Sequence, residues 1–346
     1  MNLMVKDRLK ILDCTLRDGG FANDFYFGNK NIHTVAQKLS GSNIDIIELG
    51  FLEINNKDGS DWSVYPDMDT LANFIPGERQ SGQLFSGMIT YPGFPIENVP
   101  QRIDSYCDII RIIIRYSELR ESLEFCKQVA KKGYAVSIQA AITMRYSHEE
   151  LQMIFDVANE INAYSVYIVD TYGYMQEYEM IDRFKLFNDN LKDSIRVGFH
   201  AHNNTNLAFS NTMAFINCPI ARNIVADSCL LGMGQGAGNL QTELFVDYLI
   251  KNCNADYKYE PILEACEIIE GFWGETSWGY SVVDMLSAIN RTSYKYSRAF
   301  RSEYSMSFVE INRILSNITE ELRHRYTPDN TRRLVESTVS VAKQIK

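Results

Sequence analysis

Two histidines, His200 and His202, stand two residues apart in the run IRVGFHAHNN. On a strand that spacing points both imidazoles to the same side. Inside a dry barrel each ring nitrogen then needs a partner, and a metal ion supplies one. The plainer alternative is a pair of hydrogen-bonded core histidines. Carboxylates at comparable points of the chain, Asp18, Glu48 and Asp170, favour the metal. Two imidazoles plus the Asp18 carboxylate form a mixed N/O set that leaves open positions, and Mn²⁺, Mg²⁺, Co²⁺ and Zn²⁺ are all admissible. Such an ion can chelate the carboxylate and keto oxygens of a 2-oxo acid and take up charge as an enolate forms. Arg17 stands beside the ligand and can pair with that developing oxyanion. Its structural alternative is a salt bridge to Asp18.

These residues are useful only if strands bring them together. Eight short apolar runs recur with helical patterns between them: 9–15, 44–51, 84–90, 107–114, 134–142, 164–170, 195–201 and 223–230. Most are apolar on both alternating faces, as strands of a parallel sheet covered on both sides must be. Eight such βα units predict a TIM (β/α)8 barrel, whose chemistry sits where the strands end. Arg17 and Asp18 follow the first run, Glu48 lies in the second, Asp170 ends the sixth, and the histidines end the seventh. Helices are predicted over 122–133, stopping at Gly133, and over 147–163, opening with a Ser147–Glu150 capping box. The glycine-rich run 232–239 lacks the Lys-Ser/Thr ending of a phosphate cradle. Beyond a tight turn, its use is to let backbone approach a ligand and to aim Asn239 at it.

A barrel takes roughly 250 residues, so a chain of 346 leaves a remainder. We expect a barrel domain over 1–254 and a helical region over 255–346, with a longer connection over 52–82 carrying a loop or short helix above the site. A net charge of −10 without a basic patch argues against nucleic acid and against anionic membranes. Arg323, Arg325, Arg332 and Arg333 read as a solvated helical face. Seven scattered cysteines with no C-x-x-C pair indicate reduced thiols, and no stretch approaches a membrane span or a signal peptide, so a cytoplasmic protein is expected.

Thr15-Leu16-Arg17-Asp18-Gly19-Gly20, Glu48-Leu49-Gly50, Val169-Asp170-Thr171, His200-Ala201-His202-Asn203-Asn204 and the run from Gly234 to Glu243 occur in that order. Together they resemble the signature set of the pyruvate-carboxyltransferase-like, HMG-CoA lyase-like TIM barrels, over about residues 9–245. That superfamily includes 4-hydroxy-2-oxovalerate aldolases, HMG-CoA lyases and isopropylmalate and homocitrate synthases, and the short glycine loop looks most like the aldolases. The resemblance implies Asp18, His200 and His202 as ligands of a divalent ion, Mn²⁺ foremost, with Asn239 as a fourth and Arg17 stabilising the enolate. It implies cleavage or formation of a 4-hydroxy-2-oxo acid through a metal-bound pyruvate enolate. No cysteine matches the lyases' catalytic one, and Cys229 reads as a buried small apolar residue.

One departure stands out. The aldolases carry a proton-handling histidine where this chain has Phe21. The remaining candidates for that work are Glu48, Asp170 and Tyr280, the last in a segment resembling a tyrosine-bearing part of the aldolases; His33 and His148 open predicted helices and suit the surface. Two alternatives within the superfamily are a Claisen-type synthase joining an acyl-CoA to a 2-oxo acid and a CoA lyase. Outside it stand an iron-dependent oxygenase, since two His and one carboxylate describe that site too, and a non-catalytic scaffold barrel. Expected partners are a small 2-oxo acid, an aldehyde-processing enzyme and a second copy of the chain.

Overall fold

The computed structural model describes residues 3–54, 60–273 and 278–344. Eight parallel strands follow one another around a closed barrel: β1 Leu9–Asp13, β2 Ile46–Leu52, β3 Leu84–Thr90, β4 Ile109–Ile114, β5 Ala135–Ala140, β6 Ser165–Asp170, β7 Arg196–Ala201 and β8 Ile224–Ser228. Closure comes from β1, which pairs with β2 at Leu12↔Ile46 and with β8 from Leu9↔Ile224 to Asp13↔Ser228. Each of the eight expected runs is a strand, and the fold is the TIM barrel that their number implied.

The double-sided apolar pattern now has its cause. In β4, Ile110 and Ile112 face the surrounding helices as part of the large outer core, whereas Ile109 turns into the barrel with Leu12, Ile46, Tyr167 and Val225. Arg111 shares the inward face with Ile109, because alternate residues of a strand point the same way. The interior is therefore a packed layer into which a few charged side chains are set.

The helix Leu119–Lys131 buries Leu119, Leu123, Cys126 and Val129, a stripe at helical spacing, and Gly133 just beyond it takes φ +90°. Ser147 caps the helix His148–Glu160 with the reciprocal Glu150 bond of a capping box. His148 opens that helix, but His33 lies inside the helix Asn29–Gly41 and packs its ring on Phe74, 4.6 Å between centroids. Of the 52–82 connection, residues 55–59 lie outside the described residues; the rest holds a two-residue strand, Val64–Tyr65, and a short helix, Met68–Ala72. The outer core runs on through the helix Tyr259–Glu270 as far as Trp278. The helices Val282–Ile289, Tyr294–Ser302 and Phe308–Ser316 gather around a second cluster centred on Leu286, Tyr296, Phe300 and Leu315.

Candidate metal centre and active site

Asp18, His200 and His202 each present a ligand atom, and the three atoms lie within 4.8 Å of one another. Their positions follow from the strands. Asp18 closes a single helical turn after β1, His200 lies within β7, and His202 follows its last residue. All three are buried. The glycine loop supplies the fourth group: the Asn239 amide nitrogen donates to Asp18 Oδ2, and residues 202 and 239 pair as an isolated antiparallel bridge. That approach depends on glycine. A Cβ on Gly234 would sit 2.0 Å from the Asn239 amide and 2.8 Å from Asp18, and one on Gly238, at φ +88°, would sit 2.0 Å from the Gly232 carbonyl.

The protonation pattern divides the two imidazoles. Burial disfavours charge on His200, but its hydrogen bonds to Asp227, at 2.9 Å, and to Cys14, with the Asp227 and Asp18 charges, outweigh it and push its pKa up to about 10. Burial also disfavours charge on His202, and His200 and Arg17 add to it, so its pKa falls to about 4 despite Asp18. Burial alone would raise Asp18, yet Arg17 and the two histidines hold it well below the usual carboxylate range. Two buried atoms here lack any partner, His202 Nδ1 and Asn239 Oδ1. Buried polar atoms are ordinarily satisfied, so an anionic oxygen, two imidazoles and an orphaned amide oxygen are a donor set that fits a divalent cation.

Behind this set lies a buried charge network. Arg17 Nε donates to Glu48 Oε2 at 2.8 Å, and an Nη of Arg17 donates to Asp18. Arg111 donates to the same Glu48 oxygen at 2.7 Å and to Asp227, the partner of His200, while its guanidinium lies 4.7 Å from the Tyr167 ring centre. Glu48 thus serves as the shared counter-charge that fixes both guanidinium groups. Two cations against three carboxylates, Asp18, Glu48 and Asp227, leave the network one negative charge, which the His200 proton neutralises. If a divalent ion replaces that proton, the centre becomes singly positive and suits an anionic ligand.

The other expected residues fall elsewhere. Asp170 turns both oxygens into its own loop, accepting from the Tyr174 and Met175 amides at 3.2 and 3.0 Å; burial raises its pKa to about 7 against those bonds. It clamps the loop after β6 and stands outside the ligand group. Tyr280 is 55% exposed. Cys229 is buried as expected, yet its sulfur accepts from Asn239 at 3.4 Å and lies 3.4 Å from the Cys14 sulfur. Phe21 packs edge-on against Phe25 and Phe51, and the Arg17 guanidinium lies 5.9 Å from the Phe51 ring centre.

Sequence reasoning missed Arg111, Asp227 and Tyr294. A charge set among the isoleucines of CDIIRIII and a lone charge in NIVADSCL were the available signals for the first two. Tyr294 opens a helix of the C-terminal region; burial raises its pKa, against a lowering influence of Gln235 in the glycine loop, and it feels the Asp18 charge. The next turn fastens the same loop: Arg298, paired with Asp284 at 2.8 Å, donates to the Gly236 carbonyl at 3.0 Å.

An HMGL-like family model matches residues 113–269. Over 254 residues the chain is 29% identical to a 4-hydroxy-2-oxovalerate aldolase of Geobacillus genomosp. 3, an alignment covering 71% of this chain and 72% of that protein. An oxaloacetate decarboxylase of Mycobacterium tuberculosis is 26% identical over 242 residues, 68% of each chain. The HMG-CoA lyase structure from Bacillus subtilis superposes with a TM-score of 0.61 at 17% identity, covering 76% of this chain and 92% of that one. The chain is thus similar to the HMGL-like TIM barrels, over residues 113–269 by the family model and over about 70% of its length by the aldolase and decarboxylase relatives. It is an enzyme, with a charged cluster at the strand ends where barrel enzymes do their chemistry.

Proposed function

We propose that this enzyme is a divalent-metal-dependent carbon–carbon lyase of the aldolase type, cleaving or forming a 4-hydroxy-2-oxo acid. The observation that carries the reading is the Asp18–His200–His202 group with Arg17 locked beside it by Glu48. The relatives named as aldolases and decarboxylase act, by those names, on 2-oxo acids, which supports the same substrate class. Asp18, His200 and His202 would hold the ion, with Asn239 as the further oxygen donor, and we take Mn²⁺ as the metal. When bound, the ion supplies Lewis-acid polarisation of the 2-oxo group.

The remaining work falls to the chain. Among the described residues Arg17 Nη2 carries no hydrogen bond, so the guanidinium can face the oxyanion of the pyruvate enolate while its other nitrogens stay fixed by Glu48 and Asp18. Its rigidity matters because a donor that needs no reorganisation stabilises the charge most. In cleavage the C3–C4 bond breaks, its electron pair passes to C3 as the enolate, the 4-hydroxyl proton leaves and C3 is then protonated, giving pyruvate and an aldehyde. We assign the passage of the 4-hydroxyl proton to the Tyr294 hydroxyl, which has Gln235 and the Asp18 charge in its surroundings, with Phe21 occupying the histidine's place. The cytoplasm suits seven free, buried cysteines, and no helix among the described residues is long and apolar enough to cross a membrane.

Exchange of the pyruvate C3 hydrogens into deuterated water, followed by NMR, tests enolate formation without knowledge of the aldehyde. We expect metal-dependent exchange that falls roughly 10²–10³-fold in Arg17→Ala. Exchange on acetyl-CoA but not on pyruvate would instead establish a Claisen synthase.

A further inference from the structure

A cavity of about 940 Å³ includes Phe21, Phe25, Tyr26, Phe272, Tyr294 and Lys295 in its wall, which begins three residues beyond Asp18 in the chain. That volume is at the upper end of the roughly 300–1,000 Å³ typical of sites for drug-sized ligands, and far more than a five-carbon hydroxy-oxo acid fills. The wall is chiefly aromatic, with Asp24 and Lys295 contributing one charge of each sign. Two of its rings are unusually open, Phe21 at 40% and Tyr26 at 49% exposure. Exposed aromatic rings grouped in a concave wall mark a binding surface more often than a structural one.

Two residues link the cavity wall to the catalytic group. Phe21 touches Phe51, with 6.0 Å between ring centres, and the Arg17 guanidinium lies 5.9 Å from the Phe51 ring centre. Tyr294 lines the cavity and has Gln235 and the Asp18 charge in its electrostatic surroundings. A substrate with its 2-oxo acid end against Arg17 and its 4-hydroxyl against Tyr294 therefore directs its C4 substituent toward the aromatic wall. Phe25 and Phe51 meet Phe21 and each other edge-on, at 5.1, 6.0 and 5.7 Å, and Tyr26 is held in the same way by Trp62 at 5.1 Å. Phe21 and Tyr26 are thus braced by edge-on neighbours while keeping exposed surface for a flat partner.

Resting on the lyase reading above, the geometry points to a substrate whose aldehyde half carries an aromatic ring, rather than the two- or three-carbon aldehyde of a small hydroxy-oxo acid.

The test compares kcat/KM for pyruvate release from 4-hydroxy-2-oxo-4-phenylbutanoate and from 4-hydroxy-2-oxopentanoate, in the wild type, Phe21→Ala and Tyr26→Ala. One methylene in an apolar pocket is worth roughly tenfold or more, so the phenyl compound is expected to lead by at least about tenfold in the wild type. That ratio should fall toward one in both variants. A wild-type ratio at or below one, with both compounds cleaved, overturns the inference and leaves the lyase reading intact. Failure of both compounds while pyruvate C3 exchange persists also overturns it. Loss of exchange as well would remove the reading on which it rests, and the inference with it.

Discussion

At the barrel centre, Arg111 and Glu48 are essentially inaccessible, and every guanidinium has a carboxylate against it. At the barrel mouth, Phe21 and Tyr26 lie 40% and 49% open, and their rings meet their neighbours edge-on. The centre tolerates few rearrangements, because moving one charge strands another in a medium that cannot solvate it. The mouth can change shape by exchanging one ring for another at little cost. Such a division suits a fixed reaction with an adjustable specificity: under the proposed function, the group that would stabilise the enolate is held rigid, and the far end of the substrate would meet the replaceable wall.

Arg111→Met breaks the centre most severely. It leaves Glu48 and Asp227 buried without their shared cation, and should destabilise the fold by about 3–5 kcal/mol in denaturant unfolding. A loss below about 1 kcal/mol would show that the network is solvated in solution.

Asp227→Asn acts more narrowly, since Asp227 orients His200 through Nδ1. Removing such a carboxylate behind a ligand should weaken metal binding roughly 10–100-fold. It should also change the pH dependence. In the wild type the ion must displace the His200 proton, whose pKa is about 10, so below that value affinity rises with pH, by roughly tenfold per unit between pH 7 and 9. His202, with a pKa of about 4, is already neutral there and adds nothing to the slope. Without the Asp227 charge, His200 gives up its proton at lower pH, and calorimetric titrations should show a shallower slope. An unchanged slope would mean that Asp227 does not hold that proton.

The smallest effect belongs to the mouth. Tyr26→Ala removes one edge-on pair with Trp62 and should cost about 1 kcal/mol or less in unfolding free energy. A cost matching that of Arg111→Met would erase the distinction between the two regions.

The barrel was legible because its strands bury both faces, so each announces itself as an apolar run between helical patterns. Asp18, His200 and His202 were legible for a related reason: polar residues at the ends of such runs have only the barrel mouth to face. Arg111 and Asp227 were present in the same runs as isolated charges, and recognising that a buried strand charge demands a partner would have paired them. Tyr294 was not legible. It lies far from Asp18 in the chain and reaches the site only because the C-terminal helices fold back over the glycine loop, where Arg298 and Asp284 anchor them. The same packing leaves Tyr280, the tyrosine that local resemblance favoured, in solvent. Asp170 ends its strand as expected, whereas Glu48 lies inside β2; the roles of both depended on neighbours no local pattern shows: two arginines for Glu48, a tight loop of amides for Asp170.

The most direct measurement is pyruvate release from a 4-hydroxy-2-oxo acid by chelator-treated enzyme, before and after addition of Mn²⁺, in the wild type and in His200→Ala. Release that requires the added ion and is absent from the variant is the predicted result. Equal release with and without metal, or full activity in His200→Ala, would contradict the assignment of Asp18, His200 and His202 as the metal centre.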